Sequence, residues 1–326
     1  MTDALRLFGG EADGFDGLYV DRYGPVCTLI TYEGRVPETF DIASAGNTVL
    51  EKTRSLGVRS VYHKPFAKDR SRLGGQGPDV LTSAAPCAGE QAPEQLLITE
   101  HGITLEIRPY DGFSTGVFLD QRENRRFLAA WTSGKKAARR PGWATEDQGG
   151  VGRDALRVLN MFAYTCAFSV ACARAGCHTT SVDVSGKYLE WGKRNFMHSG
   201  LNPDEHRFAR MDAFEFLAYA KRKAMSFELI ILDPPSFATA NKRKKIPAWS
   251  STDHYGPLIR EAIAVLAPGG AIFASTNTRE LALPGRLDRL IEQASGYRAI
   301  FQELPPPPQD FARERDRFAA RLFTLR

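Results

Sequence analysis

The stretch Leu232-Asp-Pro-Pro-Ser-Phe237 closes an apolar run with an acid and two prolines. Proline has no backbone N–H, fixes its own φ and restricts the residue before it, so the pair ends a strand and sets the direction of the chain. An aspartate held there is a rigid carboxylate at the rim of a sheet. A purely structural turn can also use Pro-Pro, but it has no need of the acid. Two further acids follow other apolar runs. Asp183 lies about twenty residues beyond Ala163, the separation at which doubly wound folds place the acid that grips ribose hydroxyls. Its alternative is to help cap the helix that begins near Ser185, which Ser185 can cap by itself. Asp212 also precedes a helix, so N-capping and acceptance of a hydrogen bond from an adenine amino group are equally open.

The loop Asn160-Met-Phe-Ala-Tyr-Thr-Cys-Ala-Phe-Ser169 leads from an apolar run into a helix without a single glycine. A nicotinamide-dependent dehydrogenase needs G-x-G-x-x-G here and a P-loop enzyme G-x-x-x-x-G-K-[ST]; neither is present. A loop of this kind suits a ligand with no pyrophosphate to cradle, and S-adenosylmethionine is one: adenine, ribose and a sulfonium amino acid. Cys166 inside the loop reads as a small residue filling a tight turn, against the alternative of a displaced nucleophile.

These positions need a scaffold, and the pattern supplies one. Apolar runs at 156–161, 179–182, 207–210, 227–232 and 271–275 alternate with helical segments near 168–175, 185–198, 213–223 and 257–266. Near-continuous apolar strands separated by helices predict a parallel sheet covered on both faces, which binds ligands beyond its carboxyl ends. The fold class expected is α/β, a doubly wound Rossmann-like sheet, preceded by a small α+β domain over residues 1–67. A Gly-, Pro- and Ser-rich linker is expected over 68–95 and the large domain over 96–326, opening with a hairpin around His101-Gly102 and a capping box at Asp120 and Glu123.

With 326 residues and 43% hydrophobic content the chain can bury large cores. No window approaches the roughly eighteen apolar residues of a membrane span, and the N-terminus lacks the features of a signal peptide, so a cytoplasmic protein with no membrane partner is expected. Five cysteines without C-x-x-C pairs argue against a disulfide framework or a zinc site, and no metal is expected. The net charge of +5 is modest, yet basic residues cluster at Lys135–Arg140, at Lys242, Arg243, Lys244 and Lys245, and near the end of the chain. Solvated loops explain any one cluster; three suggest a polyanionic partner.

The set Gly116-Val-Phe-Leu-Asp-Gln-Arg122, Asn160-Met-Phe-Ala-Tyr-Thr165, Val182-Asp-Val-Ser185 and Leu232-Asp-Pro-Pro-Ser-Phe237 resembles the bacterial 23S ribosomal RNA large-subunit methyltransferases, class I enzymes dependent on S-adenosylmethionine. The resemblance covers roughly residues 96–326, and 5–64 also resemble the small central domain of the 5-methylcytosine members. It implies that Asn160, Phe162, Ala163, Tyr164 and Thr165 wrap the methionine part, that Asp183 and Val184 bind the ribose, and that Asp212 and Ala213 lie at the adenine. It implies Gln121, Arg122 and Arg125 near the cofactor carboxylate, with a charged helix face as the alternative, and Asp233, Pro234 and Pro235 holding the target base. Phe237 and Phe113 are candidates to stack on that base, and Lys242–Lys245 to contact phosphates. The implied partner is ribosomal RNA or a pre-ribosomal particle; oligomeric state is left open, a homodimer being one option.

Two chemistries compete within the family. Cytosine C5 needs a cysteine thiolate to add to the ring, whereas guanine N7 already offers a lone pair. Thr276 or Asn277 stands where the 5-methylcytosine members carry their cysteine, and Gln309-Asp-Phe-Ala-Arg313 resembles the guanine-N7 enzyme, so guanine N7 is preferred. Cytosine C5 is the alternative, and a non-catalytic RNA-binding protein of methyltransferase-like fold is the rival from another class.

Overall fold

A computed structural model describes residues 1–66, 85–93, 95–109, 115–138, 155–240 and 247–326. Phe113 and the cluster Lys242–Lys245 lie outside these residues. The chain divides into two units, Met1–Arg122 with Pro307–Glu314, and Glu123–Pro306 with Arg315–Arg326.

In the first unit, β1 (Ala4–Gly9), β2 (Leu18–Tyr23) and β3 (Val26–Tyr32) form an antiparallel meander. Helix α1 (Ile42–Thr53) then crosses over to β4 (Ser60–Phe66), which pairs parallel with β3, because parallel neighbours require such a crossover. Asp41 caps α1, its carboxylate accepting from the N–H groups of Ala43 and Ser44 at 3.0 and 3.1 Å. The expected linker is only partly a linker. Within it, β5 (Ala88–Gly89) closes the sheet against β4, and at Gly89 a Cβ would meet the Arg59 carbonyl oxygen at 2.1 Å with φ at +85°. Two residues are too short to show a strand period.

The hairpin β6 (Leu96–Glu100) and β7 (Ile103–Ile107) turns through His101 and Gly102, both left-handed as a two-residue hairpin turn requires. It was expected with the large domain. It belongs to the first unit, bridged by Thr2 to Glu100 and by the Asp3 N–H to the Thr99 carbonyl.

The second unit begins within α2 (Arg122–Ala138), which follows a short 3-10 turn, Leu119–Gln121; Asp120 lies inside that turn instead of capping α2. Then come β8 (Arg157–Met161), α3 (Ala167–Arg174), β9 (His178–Asp183), α4 (Gly186–His198), β10 (Arg207–Arg210), α5 (Ala213–Arg222) and β11 (Phe227–Leu232). A two-residue ribbon, β12 (Phe237–Ala238) with β13 (Trp249–Ser250), precedes α6 (Ser251–Ile263) and β14 (Leu266–Thr276). The unit ends with α7 (Arg279–Ala282), α8 (Arg286–Ala294), β15 (Ala299–Gln302) and β16 (Ala319–Leu325).

The sheet order is β10-β9-β8-β11-β14-β16-β15. The first five strands are parallel, as expected; β16 runs antiparallel to β14 and β15. Along β11, Ile230 and Leu232 join the core formed with α5, α6 and α8, while Leu229 and Ile231 join the one formed with α2 and α3. This alternation places apolar cover on both faces. Helix α6 starts six residues earlier than the sequence suggests, with Pro257 in its interior. Proline usually marks a first turn, but burial of Tyr255, Leu258 and Ile259 holds the helix on the sheet. Among the described residues no helix is long and apolar enough to cross a membrane.

Candidate active site

The carboxyl ends of β8, β9, β10 and β11 converge on one pocket in the second unit. Phe162, Asp183, Val184, Asp212, Ala213 and Pro235 all line it. Its cavity of about 170 Å³ is smaller than the roughly 300–1,000 Å³ of whole-ligand sites, so it takes one ring-sized end of a larger molecule.

Asp183 ties the two loops behind the pocket together. Its Oδ2 accepts the Tyr164 N–H at 2.9 Å and its Oδ1 the Ser185 N–H at 2.8 Å. Burial pushes its carboxyl above the ordinary range, opposed by these two hydrogen bonds. A carboxylate has about four acceptor positions, so two remain for a ligand. Ser185 caps α4 through the Tyr188 N–H, as expected. Asp212 does cap α5, its Oδ1 accepting from Phe214 and Glu215 at 2.9 and 3.4 Å. It lines the pocket as well, so capping and binding coexist.

The glycine-free loop holds Phe162, Tyr164 and Cys166 at φ of 57, 50 and 64°. Such left-handed residues cost of order 1–3 kcal/mol each and persist only where the surroundings over-determine them. The Ala163 N–H donates to the Val182 carbonyl, the Thr165 carbonyl accepts the Asn195 amide at 2.8 Å, and Tyr164 packs edge-on to Tyr188. Cys166 is fully buried, its thiol is pushed up to about 12 by that burial, and its sulfur occupies the space a Cβ at Gly192 would need. It is a packing residue and carries no thiolate near neutral pH.

Other expected ligands lie outside the pocket lining. Asn160 is buried and donates to Ser169 at 2.9 Å, which bonds Ser181 in turn, so its side chain orders the core behind the loop. Ala163, Tyr164 and Thr165 shape the loop and do not line the cavity. Arg125 is buried with its guanidinium 5.7 Å from the Phe168 ring. Gln121 and Arg122 are buried in the first unit, where Arg122 donates to both Asp310 oxygens, at 2.5 and 3.3 Å, and to the Ala4 carbonyl.

The Asp233 turn stands beside the pocket. Asp233 Oδ1 accepts the Ser275 hydroxyl at 2.5 Å, and Ser236 donates to the Asn277 side chain at 2.6 Å. Pro234 is buried, Pro235 exposed, and Phe237 is 62% exposed, which leaves its ring open to a partner. Trp249 and Tyr255 were not anticipated. Trp249 lines the pocket, 4.9 Å from Phe162 and 6.3 Å from Phe214, and the Tyr255 hydroxyl lies 2.9 Å from the Leu232 carbonyl and 2.8 Å from that of Ser275. An aromatic residue just ahead of a helix is the faint signal that was available. Among the described residues no group of three or more His, Cys, Asp or Glu could hold a metal.

A family model described as S-adenosylmethionine-dependent methyltransferase matches residues 81–310. The chain is 31% identical to a ribosomal RNA large subunit methyltransferase of Deinococcus radiodurans, over 84% of this chain and 60% of that protein. It is 32% identical to YwbD of Bacillus subtilis, over 95% and 70%, and 31% identical to ribosomal RNA large subunit methyltransferase K of Neisseria meningitidis, over 68% and 54%. It therefore spans between 54% and 70% of the length of these relatives. The solved structure of SMU.776, complexed with SAH, superimposes with a TM-score of 0.76 and 29% identity, covering 99% of this chain and 76% of that one.

Proposed function

Because the chain belongs to the family of S-adenosylmethionine-dependent methyltransferases, we propose that it methylates a base of large-subunit ribosomal RNA, at guanine N7. The pocket's residues fit the adenosine end of the cofactor: aromatic walls from Phe162, Phe214 and Trp249, and carboxylates at Asp183 and Asp212. Asp183 accepts the ribose hydroxyls and Asp212 the adenine amino group. When bound, S-adenosylmethionine supplies an electrophilic methyl group. Asp233, with Pro234 and Pro235, holds the target base, and its carboxylate is an acceptor suited to the N–H donors on a guanine edge. The exposed Phe237 stacks on a base already out of its helix, which single-stranded or loop RNA offers at least cost. Lys242–Lys245 take the flanking phosphates, and reversing their charge flattens the salt dependence of binding.

One observation supports the choice of atom: the thiol in the loop, Cys166, is buried, which pushes it up to about 12, and Asn277 bonds to the target-side turn at Ser236. Guanine N7 attacks with its own lone pair and loses no proton, so no residue need add to the ring or act as base. Nucleoside mass spectrometry of ribosomal RNA from a deletion strain tests it. Loss of 7-methylguanosine supports the reading, and loss of 5-methylcytidine replaces it with the cytosine alternative. Calorimetric titration that finds no S-adenosylmethionine binding removes the enzyme reading altogether.

A further inference from the structure

We propose that Trp249 is a positioning residue that transmits occupancy of the cofactor pocket to the turn that holds the target base. The inference rests on the pocket being the adenosine site. Trp249 is 7% exposed, and one side chain serves both places. Its ring lines the pocket beside Phe162, Phe214 and His254, at 4.9, 6.3 and 5.5 Å between centroids. Its indole N–H donates at 2.7 Å to the carbonyl of Pro235, inside the Asp-Pro-Pro-Ser turn.

The neighbouring residues make that bond directional. Ser251 donates its hydroxyl to the same Pro235 carbonyl at 2.9 Å and its backbone N–H to the Ser236 carbonyl at 3.1 Å. The Trp249 backbone pairs with Ala238 across the ribbon, so the indole sits on a strap over the turn and not on a free loop. A tryptophan has only two side-chain torsions. A flat ring packed in the pocket against Trp249, which already touches Phe162, restricts both, and with them the position of the Pro235 carbonyl. Pro235 has no N–H and belongs to a turn already stiff, so the few bonds to its carbonyl decide how far Asp233 and Ser236 can move.

Hydrogen exchange read by mass spectrometry on the whole protein, with and without saturating S-adenosylhomocysteine, tests this independently of RNA. In the wild type the ligand slows exchange at Ser236–Ala238 by about fivefold or more, besides protecting Tyr164 and Thr165. In Trp249→Phe, which keeps a ring in the wall and loses the donor, protection at Tyr164 and Thr165 persists while that at Ser236–Ala238 is lost. Ser251→Ala, which removes the second donor to Pro235 and the hydroxyl 3.1 Å from the indole nitrogen while keeping the Trp249 ring in the wall, loses part of the same protection, and it carries the test should Trp249→Phe not fold. Equal protection of the turn in wild type and variants overturns the proposal, as does a wild type protected at Tyr164 and Thr165 but not at the turn. No binding of S-adenosylhomocysteine at all overturns the pocket assignment as well, which is a distinct result.

Discussion

The two units treat charge in opposite ways. In the first, Arg6 is nearly enclosed: it is bonded to Asp21 at 2.8 Å and to Glu314 at 2.8 Å, and lies over the rings of Tyr19 and Phe311 at 4.9 and 4.4 Å. Asp310 accepts both the Arg6 N–H and the Arg122 guanidinium. In the second unit the central strands are largely apolar, and two carboxylates at strand ends, Asp183 and Asp212, line the pocket, while Arg157 pairs with Glu228 and Arg321 with Asp288 elsewhere. Charge in the first unit thus fixes one segment, Pro307–Glu314, in place; in the second, Asp183 and Asp212 line the pocket. Gln309-Asp-Phe-Ala-Arg313 takes its meaning from this contrast. Asp310 and Phe311 hold the arginines, and Arg313 pairs with Asp13 at 2.9 Å, so the motif has an architectural use that does not depend on which base is methylated.

Breaking Arg6 gives the largest effect. Arg6→Ala leaves Asp21 and Glu314 buried without their partner, at a cost of about 3–5 kcal/mol. Denaturant unfolding followed within the first unit should show that loss, with S-adenosylhomocysteine affinity close to wild type. An undiminished stability means the network is dispensable, and the contrast between the units fails.

Asp183→Asn tests the other side. It removes charged hydrogen bonds to the ligand, each worth about 1.5–3 kcal/mol, so affinity for S-adenosylhomocysteine falls about 10- to 100-fold. Because burial raises the Asp183 carboxyl, its charged, ligand-accepting form is lost at a higher pH than for an ordinary aspartate near 3.9. Wild-type affinity therefore weakens on acidification from above that range, and Asp183→Asn flattens the step. An Asp183→Asn protein that binds normally makes this carboxylate a loop tie and nothing more.

Much of the second unit could be read in the chain itself, since its cues are local. Four-residue apolar runs such as Leu229–Leu232, helix stops at Gly176 and Gly200, and an acid after each of three strands need no long-range knowledge. The first unit shows its α+β class in the chain, but not the ties that hold it. Arg122 sits in a motif next to Gln121, yet its partner Asp310 is 188 residues away. β5 has two residues and is held by pairing alone. Trp249 escaped for a similar reason, because its two roles appear only when Pro235 and Phe162 are brought beside it. The reversed direction of β16 follows from a return through residues 303–318 that has no strand or helix period of its own.

The loop that lacks glycines offers a sharper probe of the second unit. Gly192→Ala alone drives a methyl toward the Cys166 sulfur, with 2.3 Å between the added Cβ and Sγ, and overpacking of this kind costs about 1–3 kcal/mol. Cys166→Gly removes the sulfur and relieves a φ of 64°, a strain of about 1–3 kcal/mol, set against a small cavity and a looser unfolded chain. The double variant should regain most of the stability that Gly192→Ala loses, as a double-mutant cycle of unfolding free energies reads directly. Methyl transfer retained in Cys166→Gly keeps the packing role; its loss with cofactor binding intact restores the nucleophile.

At the amino end of the same sheet, opposite the pocket, the separation of polar and apolar groups is relaxed, and the smallest effect is expected there. His206 accepts the Thr179 N–H at its Nδ1, 3.2 Å away, and its ring lies 5.8 Å from that of His178 and 4.7 Å from Phe196. Burial first, and the neighbouring His178 second, lower it from 6.5 to about 4, against the opposing pull of Glu205. The unfolded chain therefore takes up a proton between these values while the folded one does not. The contribution to stability is complete above 6.5 and lost as pH falls toward 4, because the unfolded state binds more protons there. His206→Asn keeps a neutral acceptor for Thr179 without the titration, so its melting temperature should fall less steeply between pH 6.5 and 4 than that of the wild type. Parallel melting curves across that window would assign the acid sensitivity to groups other than His206.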